Sequence, residues 1–379
     1  MSMPDSEWDP IRRGLLEHML SVEASDLYIA AHSPTVFRIN GVGYPAKKPF
    51  EPEMIAQMAD TLMTPAQREE FRAKLEMNLA LATSKGGRFR ASIFRQRGAT
   101  GMVVRLVRTQ IKTLEELQHP PILSELMKSK RGLILVVGGT GSGKSTTLAA
   151  MIDHRNRSDT GHILTVEDPV EFIHAHQKCV VTQREVGIDT RSYHDALKSA
   201  LRQAPDLILI GEIRDAETME AAITFAETGH LCLATLHSNN ANQTIERVLN
   251  FFPPERANEI RLQLSLNLRA IISQRLVKSQ DGGRAAALEI LLDTPRIREL
   301  IKRGEVEAIK DAMEQGTGEG CKTFDSALYD LVVEGRISDA DALAAADSPN
   351  NLRIRLDRFR NTGRAVELPN LRLVKRSAT

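Results

Sequence analysis

The sequence predicts an α/β fold with a parallel sheet, preceded by a smaller mixed domain, on three observations. Four short apolar runs, "GLILVVGG", "HILTVED", "DLILIGE" and "LCLATLH", alternate with helical segments between about 122 and 345. Continuous runs of this kind suit strands covered on both faces, hence a parallel sheet. The first run leads into a glycine-rich loop and then a helix-forming stretch. The first 110 residues show helical spacing and strand alternation in place of such runs.

The bulk numbers agree. A chain of 379 residues holds two or three domains of about 150 residues each. Its 42% hydrophobic and 26% charged content is that of a globular chain with a real core. A net charge of +1 argues against a protein that coats nucleic acid. Cys179, Cys232 and Cys321 lie far apart, which suits a reducing compartment and excludes a thiolate-rich zinc site. No window approaches the roughly 18 apolar residues of a spanning helix, and acids precede any apolar run at the N-terminus. The expectation is a cytoplasmic, soluble chain.

Taken in order, "DPIRRGLLEHMLSV" (9–22) is helical in its spacing, and "SDLYIAAH" and "TVFRING" read as two strands. Two helical segments follow around 51–75. "RFRASIFRQ" and "GMVVRLVR" then read as paired strands with arginines at alternating positions. "TQIKTLEELQHPP", mixing charge with proline, is taken as a linker over 111–121. The α/β part runs from 122 to 345. Within it, "PERANEIRLQLSLNLRAIISQRLV" and "PRIRELIKRGEVEAIKDAMEQ" read as helices. A basic tail, 346–379, closes the chain; 351–379 carries eight Lys/Arg against two Asp/Glu. In it "NLRIRLDRFR" alternates like an edge strand.

The glycine-rich loop carries the chemistry. Gly138, Gly139, Thr140, Gly141, Ser142, Gly143, Lys144 and Ser145 fill the pattern GxxxxGK[ST] between strand and helix, and Thr146 follows. Without Cβ atoms the loop can turn its amides around phosphate oxygens, and the helix adds its N-terminal partial charge. Lys144 is placed to reach the β and γ phosphates, and the Ser145 hydroxyl to ligate Mg²⁺. Hydrolysis also needs carboxylates. Glu212 ends "DLILIGE" as the candidate Walker B acid near the metal, and "TVEDPVEF" offers Glu167, Asp168 and Glu171 at another strand tip. Either Glu167 or Glu212 serves as general base, the other holding metal-bound water. His230 and His237 lie seven apart, on opposite faces or different ends of a strand, so a shared metal site is not expected. His237, at the strand's end, is the candidate sensor of the γ phosphate.

Together, "GGTGSGKST", "TVEDPVEF", "DLILIGEIRD" and "TGHLCLATLH" resemble the Walker A, Asp, Walker B and His boxes of the secretion ATPase superfamily, over nearly all of 20–345. "HILTVEDPVEF", "LRQAPDLILIGEIRDAETMEAAITFAETGH" and "TPRIRELIKRGEV" are most similar to the type IV pilus retraction ATPases, the PilT/PilU family. "RIRELIKR" is similar to that family's C-terminal helix motif, and the missing CxxC pairs agree with a retraction rather than an extension enzyme. The tail past 345 points to the PilU branch. The resemblance implies a homo-hexamer in which a PAS-like N-terminal domain packs on a RecA-like, P-loop ATPase domain. It implies ATP and Mg²⁺ as ligands. It also implies N-terminal arginines that reach toward the nucleotide: Arg90 and Arg97, with Arg88 and Arg95 as alternates. Partners implied are a paralogous PilT-type retraction ATPase and the inner-membrane pilus platform protein, at the cytoplasmic base of the pilus, with no nucleic acid. "EMNLALATSKGG" lacks acids, and "RLVRTQIKTLEEL" lacks a proline, that the family pattern carries. Rival readings are a pilus-extension or type II secretion ATPase, a DNA-translocating RecA-type ring, and a low-turnover accessory module.

Overall fold

The computed structural model describes residues 9–39, 41–83, 87–107 and 110–362, with side chains from 14 to 361. The chain divides into two compact units: residues 1–110 with 170–173, and residues 111–169 with 174–379.

In the N-terminal unit, helix α1 (Asp9–Ser21) precedes strands β1 (Asp26–Ile29), β2 (Pro34–Ile39) and β3 (Val42–Pro49). Helices α2 (Pro52–Leu62) and α3 (Pro65–Lys74) lead to β4 (Glu76–Ala82), β5 (Arg88–Gln96) and β6 (Ala99–Val107). The sheet is antiparallel, in the order β3-β2-β1-β6-β5-β4. Its alternation decides what is buried: Phe89, Ala91 and Ile93 of β5 join Met19, Ile55 and Met58 in the core, while Arg88 and Ser92 stay exposed. Edge strand β3 carries Pro45, Lys47, Lys48 and Pro49, residues that discourage pairing with another chain. Thr64 and Gln67 form a reciprocal cap on α3, with Pro65 pre-set for the first turn.

The second unit begins with α4 (Ile122–Leu126), β7 (Gly132–Val137), α5 (Lys144–Ser158), β8 (Gly161–Glu167) and β9 (Cys179–Glu185). It continues with α6 (Tyr193–Ala200), β10 (Leu207–Ile210), α7 (Ala216–Glu227), β11 (Leu231–Leu236), α8 (Ala241–Asn250) and α9 (Ala257–Asn267). Strands β12 (Leu268–Lys278) and β13 (Arg284–Leu292) follow, then α10 (Pro295–Arg303), α11 (Ile309–Gln315), α12 (Phe324–Val333), α13 (Asp339–Ala345) and α14 (Pro349–Thr362). The sheet order is β13-β12-β7-β11-β10-β8-β9, parallel except for β13. Every residue of β7, β10 and β11 is buried, so these strands have two core faces.

Three expectations need correction. The stretch 254–277 is not one helix: α9 ends at Asn267 and β12 takes over, parallel to β7. Neither glycine nor proline marks that boundary, and Ile271-Ile272 are fully buried in the sheet. The segment expected as a linker is packed into the second unit, with Leu114 in its core. The basic tail does not start with an edge strand. An alternating strand would put Leu352, Ile354 and Leu356 on one face. Instead, Leu352 and Leu356 are buried at helical spacing, Ile354 is 51% exposed, and α14 completes a small core with α12. The tail beyond 362 lies outside the described residues. No helix among the described residues is long and apolar enough to cross a membrane.

Candidate nucleotide site

At the end of β7 the backbone enters the left-handed region at Gly138 (φ 151°), Gly141 (φ 76°) and Gly143 (φ 90°). The first and last of these also lie against β12. A Cβ at Gly138 would come within 2.5 Å of the Gln274 carbonyl oxygen, and one at Gly143 within 2.7 Å of Gln274 Nε2. Glycine is therefore required there by space as well as by torsion. Lys144 begins α5, and its Nζ donates to the carbonyl oxygens of Gly138 (2.8 Å) and Gly139 (3.0 Å), so the ammonium sits over the loop. The Ser142 hydroxyl is buried without a hydrogen-bond partner. Gly139, Thr140 and Gly141 are exposed; Ser145 and Thr146 are half-buried in the first turn of α5. A loop with bent-in glycines, an orphaned hydroxyl, an ammonium and a helix N-terminus fits a polyphosphate.

Behind the loop, the Thr147 hydroxyl donates to Gln274 Oε1 (2.7 Å) and lies 2.9 Å from His119 Nε2. With that hydroxyl proton committed, His119 is the donor and its Nε2 carries the proton. Burial lowers the His119 pKa to about 4, which keeps the ring neutral.

The acids sit on strand tips stitched together by main-chain bonds. The Gly211 N–H donates to the Val166 carbonyl (2.8 Å) and the Ile213 N–H to the Thr235 carbonyl (2.9 Å), while the Thr235 hydroxyl donates to the Gly211 carbonyl. Glu212, its side chain 19% exposed, accepts from Arg214 at Oε2 (2.6 Å) and pairs with His237 Nε2 at Oε1 (3.1 Å). The other arm of Arg214 reaches Asp168 Oδ2 at 3.4 Å. Glu167 Oε1 accepts from Thr165 Oγ1 (2.7 Å) and Gln183 Nε2 (3.3 Å), both neutral donors. Tyr193, at the start of α6, buries its hydroxyl beside Gly211, and that burial raises its pKa.

The fold thus brings Glu212, His237 and Asp168 into one network. Between the P-loop strand and the Glu212 strand lies only β11. His230 is at the opposite end of β11 from His237, beside the Phe225 carbonyl and Thr228. Among the described residues no group of three or more His, Cys, Asp or Glu is disposed to hold a metal ion. Ser145 and Glu212 each offer an oxygen of the kind magnesium takes, one or two from protein with the rest from phosphate and water. In the N-terminal unit, Arg90 stands on β5 opposite Arg105, and Arg97 occupies the tight turn to β6 at φ 49°. Of the alternates, Arg88 is exposed on β5, and Arg95 lies over the Phe71 ring at 5.7 Å. Sequence reasoning missed Gln274, hidden in a stretch read as helix. It also missed His119, assigned to a linker, and any role for Arg214, whose partners come from separate segments.

A P-loop on a mainly parallel sheet, with carboxylates on neighbouring strand tips, defines a RecA-like P-loop ATPase. The chain belongs to the Type II/IV secretion system protein family, which matches residues 9–325. It is 52% identical over 342 residues to the type IV pilus ATPase PilU of Pseudomonas aeruginosa, covering 90% of each chain. To the pilus retraction ATPase PilT of the same organism it is 42% identical over 332 residues, 86% of this chain and 96% of that one. A crystal structure of the pilus retraction motor PilT with bound ADP superposes with a TM-score of 0.84 at 38% identity, over 90% of this chain and 98% of that one.

Proposed function

We propose that this protein is an ATP hydrolase that drives retraction of a type IV pilus, and with it twitching motility. The observation that carries the reading is the glycine cradle with Lys144 over it, on a sheet whose nearby strands end in acids, in a chain half identical to a pilus ATPase. Lys144 and the loop amides bind the phosphates. Ser145 and Glu212 hold Mg²⁺, which when bound neutralises phosphate charge. Glu212 has both oxygens engaged, Oε2 by the Arg214 guanidinium and Oε1 by His237 Nε2, which fixes the carboxylate in place. Glu167, at the end of β8, is the candidate general base. His237, on Glu212, reports whether a γ phosphate is present.

The working unit is a homo-hexamer at the cytoplasmic base of the pilus, acting on the inner-membrane platform protein and beside a PilT-type ring. Arg90 and Arg97, with Arg88 and Arg95 as alternates, supply a cation to the phosphoryl group. Steady-state turnover of the full chain with Mg²⁺, alone and with a PilT-type ring, tests the reading. Lys144→Ala is expected to lower turnover at least about 100-fold. Parent-rate turnover by that variant, or stimulation by single-stranded DNA, would sink it. In cells, deletion should leave surface pili that fail to retract; bald cells would mean an extension motor.

A further inference from the structure

Arg214 is the one guanidinium among the described residues that spans both acidic boxes. Asp168 follows β8 and Glu212 follows β10, neighbouring parallel strands. Arg214 grips Glu212 Oε2 through Nε and Nη2, each at 2.6 Å, and Asp168 Oδ2 through Nη1. All three guanidinium nitrogens are used, which a lysine ammonium on a flexible stem cannot copy. The backbone around Arg214 is anchored without its side chain. The Ile213 N–H is bonded to the Thr235 carbonyl, and Asp215 caps α7 by accepting from the Thr218 N–H at 2.8 Å. Removing the guanidinium therefore frees the Glu212 carboxylate while leaving the loop in place.

We propose that Arg214 is a positioning residue that sets the Glu212 carboxylate and ties the two acidic boxes into one rigid unit. This rests on the ATPase reading of the same site. With Oε2 clamped by Arg214 and Oε1 met by His237, the Glu212 carboxylate is fixed in orientation. Orientation of this kind, from behind a metal-holding carboxylate, governs how well it meets the metal. The guanidinium also offsets one of the two carboxylate charges that an incoming polyphosphate must approach.

The test uses full-length Arg214→Gln, Arg214→Lys and Asp168→Asn. Fluorescent ADP in EDTA should bind each within about threefold of the parent, because the phosphate cradle is untouched, whereas kcat of Arg214→Gln should fall about 10- to 100-fold. Magnesium should tighten fluorescent ADP on the parent but much less on Arg214→Gln, a readout independent of turnover. Arg214→Lys should restore no more than about a tenth of kcat, lacking the fork. Asp168→Asn should cost less, about three- to tenfold, and add nothing to Arg214→Gln in the double variant. Arg214→Gln with parent kcat and parent magnesium response overturns the proposal, as does full rescue by lysine. A parent protein that binds magnesium-nucleotide without hydrolysing it would instead defeat the ATPase reading; the magnesium response of the variants would still decide the role of Arg214.

Discussion

The two sheets of this protein bury their residues by different rules. In β5 of the N-terminal sheet Phe89, Ala91 and Ile93 are core, and Arg88, Arg90 and Ser92, which alternate with them, are exposed or half-buried. In β7 of the ATPase sheet, Ile134 and its neighbour Leu135 are both buried. A strand with one wet face can carry polar side chains along its length, as β5 does with Arg88 and Arg90. A strand with two dry faces cannot, and its chemistry moves to the tip: Gly138 after β7, Glu167 at the end of β8, Glu212 after β10, His237 after β11.

The largest test of this contrast is stability. Ile134→Ala and Leu135→Ala should each cost about 2–5 kcal/mol despite pointing to opposite faces. In β5, Ile93→Ala should cost as much, but Ser92→Ala should stay within about 0.5 kcal/mol. Urea midpoints check this, and a neutral Leu135→Ala would break the two-face rule.

A somewhat smaller effect follows from His119. Its pKa is about 4 in the folded chain against an ordinary 6.5, so the unfolded chain protonates first as pH falls. The neutral ring's contribution is whole above 6.5 and is lost between there and about 4, a loss of roughly 3 kcal/mol at most. Amide protection factors in β7, which correct for the intrinsic slowing of exchange in acid, should therefore fall on acidification before those in β5, and His119→Gln should narrow that gap. Equal acid sensitivity in parent and variant would mean the linker-side histidine does not matter to the ATPase unit.

Smallest is a surface change on the last helix. Ile354→Ser should shift the midpoint by no more than about 0.5 kcal/mol, while Leu352→Ala should cost about 2 or more. Equal losses would restore the edge-strand reading of that segment.

Much of the site could be read from the residues, and the reasons are local. Gly138, Gly141 and Gly143 are needed where they stand because the loop's torsions demand them, and Lys144 and Ser145 follow at fixed offsets on one helix turn. The strands that carry the boxes announce themselves by unbroken apolar runs. Leu268–Lys278 did not, because its Leu and Ile follow an amphipathic helix with no breaker between them. The last helix was misread because Leu352, Ile354 and Leu356 satisfy a period of two as readily as the i, i+4 pair that is actually buried.

Short-range chemistry was thus enough to specify a bent glycine loop, its lysine and the acids at strand ends, since spacing along one segment sets those positions. Which groups meet across segments was settled by strand order. Placing β7, β11, β10 and β8 side by side brings His237 to Glu212 and Asp168 to Arg214, and β12 sets Gln274 behind the loop. Such meetings depend on pairings between residues tens of positions apart, and no local pattern encodes them.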